Sequence, residues 1–258
     1  MNTLKELYDY REMIVNLTHR DLRGRYKGSA LGFFWTLLNP LLQLVVYTIV
    51  FSVIMRTEYE KYYLFLFIAL VPWLFFYNSV IGGAAVIWNQ KDMINKIYFP
   101  REVLPISHVL AQAINMLLSF IVIFAVLIVT KHGINVAALC FLPLVIIIEV
   151  FLSLGMAFIV SAVTVFFRDL QFILSIVMMA WQFMSPVMYG IDMVPEQIQG
   201  LFKLNPMTSV LSLYRDILYY KSIPNANDFL IASIFSILIL VLGILVFEFL
   251  KKKFSEEL

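Results

Sequence analysis

The chain has 258 residues, of which 62% are hydrophobic and 14% charged, with a formal net charge of +2. Soluble domains carry about 25% charge, so one water-soluble core is excluded and lipid is the expected solvent for much of the surface. A single cysteine, Cys140, excludes an intrachain disulfide framework.

Residues 1–30 hold no apolar run of the roughly 7–15 residues that make a signal-peptide core, so no cleavable leader is expected. Within Met1–Arg23, Leu4, Leu7, Tyr8, Ile14, Val15 and Leu22 fall on one helical face. Lys5, Glu6, Asp9, Glu12, Asn16, Arg20 and Arg23 fall on the other. This pattern predicts an amphipathic helix, either lying in the headgroup plane or packed on a soluble partner. Gly24, Gly28 and Gly32 then mark a hinge into the first span.

The stretch Leu31–Met55 is free of charge and long enough to cross a hydrocarbon core, which takes roughly 20 apolar helical residues. Arg20, Arg23, Arg25 and Lys27 at its start hold that end in the cytoplasm. Span 2 is expected at Tyr62–Trp88, with Pro72 and Gly82-Gly83 inside it. Neighbouring helices can re-satisfy the backbone groups such residues free. Asn89–Pro105 is a polar connector that also carries Met93, Ile94, Ile97, Tyr98 and Phe99. It predicts a short helix docked on lipid or a partner, bounded by Pro100 and Pro105.

Span 3 is expected at Ile106–Thr130, span 4 at Val136–Phe167, span 5 at Leu170–Tyr189 and span 6 at Phe229–Leu250. Between the last two, Asp192 and Pro195-Glu196 look like a helix start, and Asn205-Pro206 opens a second short helix with Leu211, Tyr214, Ile217 and Leu218 on one face. Neither helix can cross a bilayer. The segment reads either as a re-entrant outer hairpin at the mouth of a cavity or as two interfacial helices lying flat.

The distribution of basic residues supports this layout. With the N-terminus inside, Lys5, Arg11, Arg20, Arg23, Arg25, Lys27, Lys91, Lys96, Arg101, Arg168 and Lys251–Lys253 are cytoplasmic. Arg56, Lys61, Lys131, Lys203, Arg215 and Lys221 are outside. The 19 basic residues divide 13 to 6 in favour of six spans with both termini in the cytoplasm.

No catalytic constellation and no metal-ligand spacing appears, and no GxxxxGK[ST] loop is present, so this chain does not cradle ATP by that device, and if it does energised work the energy comes from elsewhere. Glu149 is a lone carboxylate deep in span 4, where an unpaired charge costs several kcal/mol; it is either functional or a protonated helix-to-helix contact. Arg23, Arg25 and Lys27 either bind an anionic headgroup such as a diphosphate or serve as plain topology anchors. Trp35, Tyr47, Trp73, Tyr77, Trp181, Phe183 and Tyr189 lie in or near spans 1, 2 and 5. Their faces could stack on sugar rings or simply pack.

Four blocks, Arg25–Ile54, Lys96–Ile106, Phe166–Leu170 and Ser185–Thr208, follow one another in an order and spacing that resembles the permeases of type-2 ABC exporters for lipid-linked polysaccharides. That family includes the exporters of O-antigen, capsule and wall teichoic acid. The resemblance covers essentially the whole chain. It implies an all-α integral membrane protein of the bacterial inner membrane, working as a homodimer with two copies of a cytoplasmic ABC ATPase. ATP and Mg2+ would be used by that partner, and no cofactor would be bound here. Residues 89–105 would be the coupling loop, with Lys91, Asp92, Ile94, Lys96, Tyr98, Phe99 and Arg101 engaging the ATPase. Residues 1–30 would frame a lateral gate, placing Arg23, Arg25 and Lys27 near a polyprenyl diphosphate. Residues 191–222 would be the outer gate, and the aromatics above with Glu149 would be channel candidates. The expected function is export of a polyprenyl-diphosphate-linked glycan, with membrane lipid as surroundings and no nucleic-acid partner. The rivals are another cargo on the same scaffold (teichoic acid, drug or lipid) and a membrane enzyme of polyprenyl-glycan metabolism. The second would want a carboxylate cluster that the sequence lacks.

Overall fold

A computed structural model describes residues 3–24, 28, 31–54 and 59–254. Among them every regular element is helical. Two short helices, α1 (Thr3–Asp9) and α2 (Arg11–Gly24), begin the chain. After a 3₁₀ turn at Gly32–Phe34, α3 (Trp35–Thr48) runs into a π-helical segment, Ile49–Ile54. The long helix α4 (Tyr62–Asn89) follows, then the single-turn helix α5 (Lys91–Lys96) and α6 (Val103–Val129). The second half holds α7 (Val136–Leu139), α8 (Leu142–Phe166), α9 (Leu170–Phe183), α10 (Glu196–Leu204), α11 (Pro206–Leu218) and α12 (Ala226–Leu250).

Four stretches among the described residues are long and apolar enough to cross a membrane: Tyr62–Asn89, Val103–Val129, Val136–Phe166 and Ala226–Lys253. Leu37–Phe51 and Leu170–Phe183 are apolar but shorter. At 1.5 Å per residue, the 14 residues of α9 reach about 21 Å, less than the roughly 30 Å hydrocarbon layer. The expected span 5 is thus cut short, because residues 184–190 leave the helix to bond the hairpin behind it. Span 1 likewise begins at Trp35 rather than Leu31, since Gly32 sits at φ 49 and Gly28 at φ 88, left-handed values that suit glycine and turn the chain. Span 4 is α7 and α8 in series, broken at Cys140-Phe141.

The centre of the fold is α4, whose side chains from Leu64 to Leu70 are almost wholly buried. It packs on α6 and α8, and α3, α9 and α11 cover its remaining sides. Gly83 meets Ala157 of α8 and Gly82 meets His108 of α6, so both neighbours approach α4 closely at one level. The last helix, α12, lies along α8 and buries only a small stripe, Ala232, Ser236, Gly243 and Phe247. The rest of its surface is apolar and exposed, as a lipid-facing helix requires.

Two expectations are corrected. The packed face of the N-terminal helices is Leu7, Tyr10, Met13, Ile14 and Leu17, set against a cluster with Phe99, Val103 and Phe254; Tyr8 and Val15 are exposed. Packing on that cluster, which lies far away in the chain, selects the buried face, and helical periodicity alone cannot foresee it. Pro105 does not end the connector. It sits in the first turn of α6, where no intrahelical N–H bond is lost.

Candidate functional site

Contacts sort the loops onto two opposite ends of the bundle. At the first end, Arg168 lies 3.7 Å and Lys91 4.9 Å from the ring centre of Trp88, which ties the α8–α9 break to α5. Lys251 bridges Glu102 and Glu248, the latter at 2.7 Å. Arg101 donates to the Lys251 carbonyl, and Tyr10 Oη donates to the Tyr98 carbonyl at 3.3 Å. The N-terminal helices, the α5 connector and the end of α12 thus form one junction around a cavity of about 300 Å³.

Within that junction the predicted coupling residues divide. Asp92, Lys96 and Tyr98 point outward, Tyr98 at 83% exposure, and Ile97 joins them. Lys91 and Ile94 are half-buried. Phe99, 5% exposed, is driven into the cluster with Leu17, Val103 and Phe254, and Arg101 turns inward beside Phe254. An apolar and cationic ledge is therefore presented outward on a segment locked from behind.

At the opposite end, Lys61 donates to the Thr130 carbonyl, Asn135 to that of Lys221, and Lys221 to that of His132. Tyr59 Oη donates to both carboxylate oxygens of Asp192, at 2.6 and 2.8 Å. Burial and then the Asp192 carboxylate push the Tyr59 phenol above its ordinary pKa. This is the end that carries α10 and α11.

The hairpin is held by polar side chains whose partners the sequence does not show. Asn205 accepts from the Met207 N–H and from Trp181 Nε1, both at 3.0 Å, and donates to Ser185 Oγ and the Met184 carbonyl. One amide so caps α11 and stitches it to α9. Arg215, 4% exposed, donates to the carbonyls of Pro186, Val187, Tyr189 and Phe65, with its guanidinium 3.6 Å from the Phe65 ring centre. Counted from sequence as an outer charge, it is a buried clamp. Its partners are carbonyls of residues 65 and 186–189, well before it in the chain, which gives no one-dimensional signal.

Glu149 is buried between helices, and Tyr214 Oη of α11 donates to its Oε2 at 2.7 Å. The bond pins the hairpin to α8. Glu149→Gln keeps an acceptor and is expected to melt near wild type in detergent. Glu149→Ala strands the Tyr214 hydroxyl and opens a void, at a cost of about 2–4 kcal/mol.

The aromatic candidates also separate. Trp73 is fully buried core and Tyr47 packs against the same core. Trp181 lies edge-on to Phe76 with ring centres 5.3 Å apart, Tyr189 donates to the Phe183 carbonyl, and Phe183 is exposed. Trp35 and Tyr77 come together in a cavity of about 330 Å³ between α3, α4 and α6. A second cavity, about 470 Å³, lies between α2, α4 and α6, with Arg20 and the Asp21–His108 pair (3.2 Å) on its wall. Arg23 is exposed at the end of α2; Arg25 and Lys27 lie outside the described residues.

Comparison with known proteins adds the following. The sequence profile of the family described as ABC-2 type transporter matches residues 12–219. An O-antigen export system permease protein RfbA from Myxococcus xanthus is 34% identical over 99% of this chain and 98% of its own length. One from Klebsiella pneumoniae is 31% identical over 96% and 95%. The polysialic acid transport protein KpsM of Escherichia coli is 25% identical over 89% and 90%.

Proposed function

The chain belongs to the ABC-2 type transporter family, and from this we propose that it is the transmembrane permease of an ATP-driven exporter of polyprenyl-diphosphate-linked polysaccharide. It is a transporter component rather than an enzyme. Two copies pair, each with a cytoplasmic ABC ATPase subunit that binds ATP and Mg2+, in the bacterial inner membrane. In this reading α3 with its π-helical extension and α9 complete six spans, both termini are cytoplasmic, and α10–α11 form the re-entrant outer gate. Glycan cargo is favoured by the names of the relatives, which cover the chain end to end.

The observation that carries the mechanism is the outward ledge of Asp92, Lys96, Ile97 and Tyr98 on a connector bolted to α12. An ATPase cleft that grips this ledge moves α4, α6 and α12 together, because the segment has no slack behind it. The lipid anchor enters beside α2, where Arg23 offers charge to a diphosphate, with Arg25 and Lys27 next in sequence.

Lys96→Glu combined with Tyr98→Ala is expected to leave membrane insertion and ATPase binding of nucleotide intact while export falls at least about tenfold, the loss of one or two interface anchors. The measurement is ATP hydrolysis and glycan export by the complex in liposomes, with a polyprenyl-diphosphate-linked oligosaccharide as substrate. Wild-type export in the double variant would refute the coupling role. ATP hydrolysis unmoved by any lipid-linked glycan in the wild-type complex would refute the cargo.

A further inference from the structure

The cavity between α3, α4 and α6 has a chemistry the export reading does not specify. Its polar wall is Asn39 and Gln43 from α3, Asn78 from α4, and Gln112, Asn115 and Ser119 from α6. The positions are one turn apart on α3 and fall at i, i+3 and i+7 on α6, so each helix turns one polar stripe inward. Among the described residues, no ionisable side chain lines the cavity other than the Tyr77 phenol.

Amides at this depth have two ordinary explanations, helix-to-helix bonding and contact with water. The 330 Å³ of open space keeps the stripes from closing on one another. That volume holds on the order of ten waters and falls at the lower end of small-molecule pockets. Asn115 Oδ1 is buried with no hydrogen-bond partner among the described residues, which is unfavourable unless something fills the space. Asn39 and Asn78 are exposed at the mouth. Exposed amides are unsuited to lipid, so the mouth opens on water or on protein.

We infer that this cavity is a binding site for an uncharged, hydroxyl-rich sugar segment. A carboxamide both donates and accepts, as a sugar hydroxyl does, so these five amides and the Ser119 hydroxyl can exchange hydrogen bonds with a sliding glycan without a fixed register. Trp35 and Tyr77 supply faces for the apolar side of a pyranose. An anionic sugar finds no cation there among the described residues, and stripping its carboxylate of water is costly. The inference rests on the export reading for its cargo and adds the cargo's charge class.

The test uses the permease–ATPase complex in nanodiscs, with Asn78→Cys on a Cys140→Ser background, since Cys140 is exposed. A small uncharged maleimide reports whether position 78 is wet. Labelling is expected. Maltoheptaose is expected to slow it about tenfold, an oligosialic acid of equal length is not, and adding Asn115→Leu weakens the maltoheptaose protection about tenfold. No labelling would overturn the site in favour of a dry contact between copies. Protection by neither sugar, equal protection by both, or protection indifferent to Asn115→Leu would overturn it as well. ATP hydrolysis by the wild-type complex is read in parallel with a neutral polyprenyl-diphosphate oligosaccharide. Stimulation without protection sinks the cavity and leaves export standing; protection without stimulation does the reverse.

Discussion

Gly243→Ala is expected to lower the melting temperature by on the order of 10 °C, because it removes about 3 kcal/mol or more from a chain of this length. A Cβ at Gly243 would run into the carbonyl of Gly155, and one at Gly155 would meet the Ile239 and Leu240 backbone at 2.6 Å. The obstacle in each case is backbone, so no rotamer change relieves it. α12 meets α8 through a narrow buried stripe, Ala232, Ser236, Gly243 and Phe247. The helix must therefore separate from α8. Gly200→Ala is the control: nothing lies within 4 Å of the added methyl, and in mid-α10 it gains up to about 1 kcal/mol of helix propensity. Detergent-extracted protein followed by intrinsic fluorescence on heating measures both. Equal melting of the Gly243 variant and wild type would refute the close-packed crossing.

The second large effect is at Arg215. Arg215→Met keeps the length of the stem and removes every donor. The carbonyls of Pro186, Val187 and Tyr189 then lose their partner in a buried loop, at about 1–3 kcal/mol for each one stranded. Arg215→Lys restores a charge but not the planar fork that reaches several oxygens at once. Both variants are expected to fail as monodisperse protein on size exclusion, methionine more severely, with the residues 185–222 cut first in limited proteolysis. Wild-type behaviour of Arg215→Met would mean that the loop is held by packing alone.

Much of the scaffold was legible in one dimension. Hydropathy and charge placed α4, α6, α8 and α12 within a few residues, because lipid leaves long apolar helices little choice. The Asn205-Pro206 turn was equally plain, since proline at the first helical position and an Asn cap are local chemistry. What escaped was set by partners far away in the chain. The end of α9 is decided by residues 185–190 bonding Asn205 and Arg215, and the orientation of α2 by the cluster at Phe99 and Phe254. In the site, exposure sorted the connector only after folding: Tyr98 and Phe99 are neighbours with opposite fates. The amide-lined cavity was invisible because Asn and Gln carry no charge and each stripe is sparse on its own helix.

The Glu102–Lys251 link joins positions 149 apart in sequence. A load placed on the α5 ledge need not travel through α6, α8 and their turns to reach the last helix; it crosses in a single side-chain step. In the proposed export cycle this link would be a short lever between the middle and the end of the chain, and its stiffness, rather than that of any one helix, would set how much of a stroke arrives.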